Sequence, residues 1–71
     1  MTFKGTVGGT GSTVANLPAS GVQKGDTYKV ATAGTYANTV AKVGDLFINM
    51  ADDNATPNWT HISSGYEDDY L

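Results

Sequence analysis

Lys24-Gly25-Asp26-Thr27-Tyr28-Lys29-Val30 is echoed by Val43-Gly44-Asp45-Leu46-Phe47-Ile48-Asn49. Each stretch is a Gly-Asp pair, then an aromatic two residues on, then strand-forming residues, and the two aspartates stand 19 positions apart. Gly-Asp leading into an apolar or alternating run reads as a turn that feeds a β-strand. With Ala33-Gly34 between them, the two units make the middle of the chain a β-unit.

Outward from that unit, the same signals predict the other strands. Thr27 to Thr32 is a half-buried strand with Tyr28 and Val30 on one face and Thr27, Lys29 and Ala31 on the other. Ala33-Gly34 is the expected hairpin turn, and Thr35 to Val43 is the expected return strand, ragged at Asn38 and Lys42. Leu46 to Met50 is apolar at four of its five positions, the pattern of a central strand covered on both sides. Trp59 to Ile62 closes the set, and Thr2 to Val7 opens it. Val14 to Leu17 reads as a short strand or extended arm, since Pro18 holds Leu17 extended. No stretch of ten residues carries a 3.6-residue apolar stripe. The expected fold is all-β: a small antiparallel sandwich or barrel-like domain of hairpins over residues 1–65, with an acidic, aromatic tail over 66–71. Tyr28, Val30, Leu46, Ile48 and Ile62 are its expected core.

Seventy-one residues bury a small core, which rarely supplies more than about 3–5 kcal/mol. Disulfides and thiolate metal sites are excluded by the absence of cysteine, and a single histidine argues against structural zinc. Association with other chains is the remaining source of stability. A net charge of −3, with four lysines and no arginine, provides no footprint for a nucleic-acid backbone. No apolar run approaches the roughly 20 residues that span a bilayer, and Met1-Thr2-Phe3-Lys4-Gly5 lacks a secretory apolar core. The expected partners therefore include neither nucleic acid nor membrane.

Reactive constellations are equally scarce. Gly8-Gly9-Thr10-Gly11 lacks the Gly-Lys-Ser/Thr ending of a phosphate loop and reads as a surface turn. Asp52-Asp53-Asn54 does not fit a spaced calcium loop. Asp26 and Asp45 read as turn formers, each accepting N–H bonds of its own turn, rather than as an acid–base pair. For His61 the sequence nominates no nucleophile and no orienting group, and alternation sets it on the face of Trp59. Hence no catalytic residue, cofactor or metal ligand is expected. The contact candidates are the aromatic and apolar residues Tyr36, Trp59, Tyr66, Tyr70 and Leu71.

Two resemblances bear on function. Gly25-Asp26-Thr27-Tyr28-Lys29-Val30, Ala33-Gly34-Thr35-Tyr36-Ala37, Val43-Gly44-Asp45-Leu46-Phe47-Ile48 and Trp59-Thr60-His61-Ile62, led by Leu17-Pro18-Ala19-Ser20-Gly21, resemble in order and spacing a domain recurrent in tailed-bacteriophage fibre proteins. The likeness runs from residue 3 to about 63. It implies a structural virion protein made in the host cytoplasm: a capsid decoration, head-fibre or tail-fibre domain. It also implies a homotrimer that contacts other virion proteins and, in a fibre, a host-surface glycan. The second resemblance is to small chitin- and cellulose-binding modules, through Tyr36, Gly44-Asp45, Phe47, Pro57 and Trp59. It implies sugar rings held against Tyr36 and Trp59. The adjacent surface aromatics of such modules are replaced here by Asp52-Asp53-Asn54-Ala55-Thr56.

Overall fold

A computed structural model describes residues 1–63. The two Gly-Asp units form matching turns. In the first, Asp26 N donates to Gln23 O at 3.1 Å, and Gln23 N donates back to Asp26 Oδ2 at 3.0 Å. In the second, Asp45 N donates to Lys42 O at 3.0 Å, and Lys42 N donates back to Asp45 Oδ2 at 2.9 Å. Gly25 and Gly44 hold the third position at φ of 89° and 94°, which a side chain adopts only with strain. The turn-forming role of both aspartates is thus what the sequence predicted.

Each turn launches a strand, and the two strands pair with each other. We label the strands β1 (Thr2–Val7), β2 (Asp26–Val30), β3 (Gly34–Tyr36), β4 (Thr39–Ala41), β5 (Leu46–Asn49) and β6 (Trp59–Ile62). β2 and β5 run antiparallel with Tyr28 opposite Phe47, so the twin turns cap opposite ends of one ladder. Gly25 N donates to Asn49 O at 2.7 Å, and Gly44 N donates to Val30 O at 2.9 Å. β1 and β6 flank this pair, giving a four-stranded sheet in the order β1-β2-β5-β6. β3 and β4 form a separate two-stranded sheet.

The fold is all-β, as expected, but its pairing differs from a run of hairpins. β1 pairs with β2 in parallel, which requires a long crossover, here residues 8–25. Val14 contributes only an isolated bridge to Val7. Ala33-Gly34 is not a hairpin turn, because β2 ends at Val30 and Gly34 already belongs to β3. The tight turn is Ala37-Asn38, both left-handed at φ 51° and 59°, the geometry that matches the twist of a two-residue hairpin. The expected return strand is thereby cut into β3 and β4, a hairpin that lies over the sheet and lends Tyr36 and Ala41 to the core.

That core is Val7, Tyr28, Val30, Tyr36, Ala41 and Phe47, with Val14, Leu17 and Trp59 packed around it. Tyr28 and Val30 are buried as expected. Leu46 and Ile48 are only half-buried, and Ile62 is 42% exposed, so these three do not form the core. Register is the reason. Phe47 stands opposite Tyr28, which turns Asp45, Phe47 and Asn49 inward and Leu46 and Ile48 to the other face. Inward polar residues are tolerated because they are bonded: among the described residues no buried side-chain nitrogen or oxygen lacks a partner. Asn49 is fully buried, donates to Gln23 O at 3.0 Å, and accepts from Ala51 N and Asn58 N at 3.0 and 2.9 Å. It ties the 50–58 loop to the first Gly-Asp turn.

Candidate functional site

Two surfaces are built well enough to act. The first is a groove of about 290 Å³ lined by Leu17, Pro18, Thr35, Tyr36, Pro57 and Trp59, among others. Pro18 holds the 16–19 arm extended along one wall, the β3–β4 hairpin makes the second, and Pro57 with Trp59 makes the third. The two aromatic candidates of the described region, Tyr36 and Trp59, therefore meet in one place. Their polar atoms face inward. Trp59 Nε1 donates to Pro18 O at 3.2 Å, fastening the arm to β6. Tyr36 Oη donates to Thr32 O at 2.6 Å, and the residue is 7% exposed. Gly8 makes room for that hydroxyl, since a Cβ there would stand 2.3 Å from it. Edge-to-face contacts of Tyr28 with Trp59, at 5.7 Å, and of Tyr36 with Phe47, at 6.2 Å, key both rings into the core. The groove offers apolar ring and proline surface, and every residue lining it is uncharged.

The second surface is the back of the four-stranded sheet. Register places Phe3, Thr27, Ile48 and Thr60 in one row across all four strands, and Thr6, Lys29, Leu46 and Ile62 in the next. Met50 continues the β5 alternation onto this face beyond Ile48. Phe3 and Met50 are 60% and 53% exposed, although Thr27 in the central row is as fully buried as Phe47 on the opposite face. Nothing in the β3–β4 hairpin reaches the back, because that hairpin packs on the core side.

The remaining candidates resolve into structural roles. His61 shares a face with Trp59, as alternation predicts, and its Nε2 lies 2.7 Å from Asp45 Oδ2. Asp45 is thus the orienting group that the sequence did not nominate. It came from another strand's turn, a pairing that only the β5–β6 register creates. The imidazole also lies over Phe47, ring centroids 5.2 Å apart. The pair clamps β6 to the second Gly-Asp turn. The first turn has a different neighbour: burial, then the Asp26 carboxylate, pushes the Tyr28 hydroxyl above its ordinary pKa of 10.0. Asp53 Oδ1 accepts from Lys24 N at 2.8 Å and joins its loop to that turn. Among the described residues no three His, Cys, Asp or Glu side chains cluster as a metal site. The 8–11 stretch is a turn, with Ser12 N donating to Gly9 O at 3.4 Å. Tyr66, Tyr70 and Leu71 lie outside the described residues.

Sequence reasoning named Tyr36 and Trp59 but not the prolines that complete their groove, although Leu17-Pro18 and Pro57 were legible signals of rigid extended chain. It missed the back face because it assigned Leu46, Ile48 and Ile62 to the interior. Comparison with protein-family models, with curated proteins and with solved structures finds no match to this chain.

Proposed function

We propose that this chain is a non-enzymatic structural component of a tailed-phage virion, acting by packing and adhesion as a capsid decoration, head-fibre or tail-fibre domain. The apolar back face of the sheet carries this reading. A domain this small gains stability by burying such a face against sister chains or neighbouring virion proteins. The polar side chains that chemistry would need are tied into turns and strand clamps: Asp26 and Asp45 to their own turn amides, and His61 to Asp45. The resemblance to phage fibre domains supplies the setting, a particle assembled in the host cytoplasm.

Particles produced from a phage genome that carries this coding sequence test the proposal. The chain should band with the particles through a density gradient and appear in their proteome. Recovery only among free proteins would overturn it.

A second reading, a small carbohydrate-binding module, is favoured by one observation: Tyr36 and Trp59 line the same uncharged groove. On that reading chitin oligomers shift the Trp59 emission. An unchanged spectrum across neutral glycans removes it.

A further inference from the structure

The back face has an internal pattern that bears on what covers it. Its central row alternates large and small across the strands: Phe3, Thr27, Ile48, Thr60. The adjacent row runs Thr6, Lys29, Leu46, Ile62. Lay a second sheet on this one, face to face, related by a two-fold axis parallel to the strands. Each row then meets its own reverse. Phe3 lies over Thr60 of the second copy and Ile62 over Thr6, Leu46 lies along the stem of Lys29, and Ile48 faces the position of Thr27, whose own side chain is fully buried. Large residues meet small ones at both outer-strand positions, and the two Lys29 ammonium groups do not meet. Two sheets with aligned strands pack about 10 Å apart in this manner. A three-fold arrangement brings no such row-on-row match.

Area agrees with the pattern. Met1 at 83%, Phe3 at 60%, Met50 at 53% and Ile62 at 42% are the exposed large apolar residues on or beside this face. Together with half-buried Leu46 and Ile48 they present roughly 500 Å² of apolar surface, taking about 150–250 Å² for each large side chain when fully exposed. A pair of copies would bury about 1,000 Å² of apolar area before its threonine and lysine borders are counted, which reaches the lower bound for a specific interface.

We infer that a second copy of this chain covers the back face, in a two-fold pair with aligned strands whose outer large and small residues interlock. The inference rests on the reading above that the chain works by packing, and it replaces the trimer implied by the phage resemblance with a face-to-face dimer.

Sedimentation equilibrium of the full chain tests it. The expected mass is twice that of the chain. Phe3→Asp should return the mass of a single chain with an unchanged circular dichroism spectrum, whereas Val40→Asp, on the exposed outer side of the β3–β4 hairpin, should remain paired. Should Phe3→Asp not fold, a milder probe decides. The chain has no cysteine, so Thr60→Cys is a unique thiol on the back face. Its reaction with a maleimide should slow as protein concentration rises, while Val40→Cys reacts at one rate throughout. A single-chain mass at every concentration, a three-chain mass, or a Phe3→Asp variant that stays paired would each overturn the inference. A monomer or trimer that still bands with phage particles would overturn the pair and leave the virion reading in place. A dimer that never reaches particles would do the reverse.

Discussion

The two faces of the four-stranded sheet are made from similar residues and have opposite fates. On one, Tyr28 and Phe47 sit side by side, closed over by Tyr36 and Ala41 from the β3–β4 hairpin. On the other, Ile48 and Leu46 stand one residue out of phase with Phe47 and stay half-exposed. Strand β5 is apolar on both sides, so composition alone cannot say which side is the core. What decides is the Gly-Asp turn. It fixes where β5 begins, sets Asp45 inward so that its carboxylate reaches Lys42 N, and by alternation makes Phe47 the interior residue. The lesson is that a turn chooses the buried face of a strand whose pattern leaves the choice open.

Paired substitutions put the largest strain on that contrast. Phe47→Ala leaves a cavity in the closed face and should cost about 3–5 kcal/mol, enough to unfold a domain of this size. Ile48→Ala, one residue along, should cost about 1 kcal/mol or less at concentrations where the chain is single, because its surroundings are half water already. Urea denaturation of the two variants checks this, and equal losses would dissolve the distinction between the faces.

The twin turns extend the comparison. Both aspartates hold their own turns, but Asp45 also anchors His61, whereas among the described residues Asp26 has no strand clamp of that kind. Asp45→Ala should therefore cost about 2–3 kcal/mol and Asp26→Ala about 1–2. His61→Ala should narrow that gap, read by the same denaturation curves in a double-mutant cycle.

Tyr28 supplies a pH signature of the closed face. Its hydroxyl is held above the ordinary value of 10.0 by burial and by Asp26. The folded chain keeps this proton to a higher pH than the unfolded chain does. Stability is therefore intact below the unfolded value and falls as pH rises through the folded-state value. Tyr28→Phe should remove that alkaline slope, measured as the urea midpoint between about pH 9 and 12. A slope that survives the substitution assigns it elsewhere.

The smallest effect concerns the hairpin that does the covering. Ala37 sits at φ 51°, a left-handed conformation that costs an L-residue with a Cβ about 1–2 kcal/mol. Ala37→Gly should raise the melting temperature by relieving it, with a net gain of about 0.5–1 kcal/mol after the added freedom of the unfolded chain.

Much of this was legible in the residues. The Gly-Asp echo located both turns, and period-two alternation located β1, β2, β5 and β6 to within two residues at each end. Read further, the echo aligns Tyr28 with Phe47 and so contained the correct parity of β5. Tertiary pairing was not legible, because the parallel β1–β2 ladder depends on how residues 8–25 travel and not on any local propensity. The β3–β4 turn was hidden for a different reason: Ala37-Asn38 lacks the glycine that ordinarily advertises a two-residue hairpin, while Ala33-Gly34 displays one and is not a turn of that kind. At the groove, Tyr36 and Trp59 could be named singly. Their meeting required the Leu17-Pro18 arm to cross from one to the other.

On the inferred pairing, one face of this sheet is closed by its own chain and the other by a second copy. The methyl groups of Leu46, Ile48 and Ile62, followed by nuclear magnetic resonance with a dissolved paramagnetic agent, report that directly. They should be broadened in dilute protein and shielded in concentrated protein, while Val30 stays shielded in both. Back-face methyls that remain broadened at every concentration would contradict it.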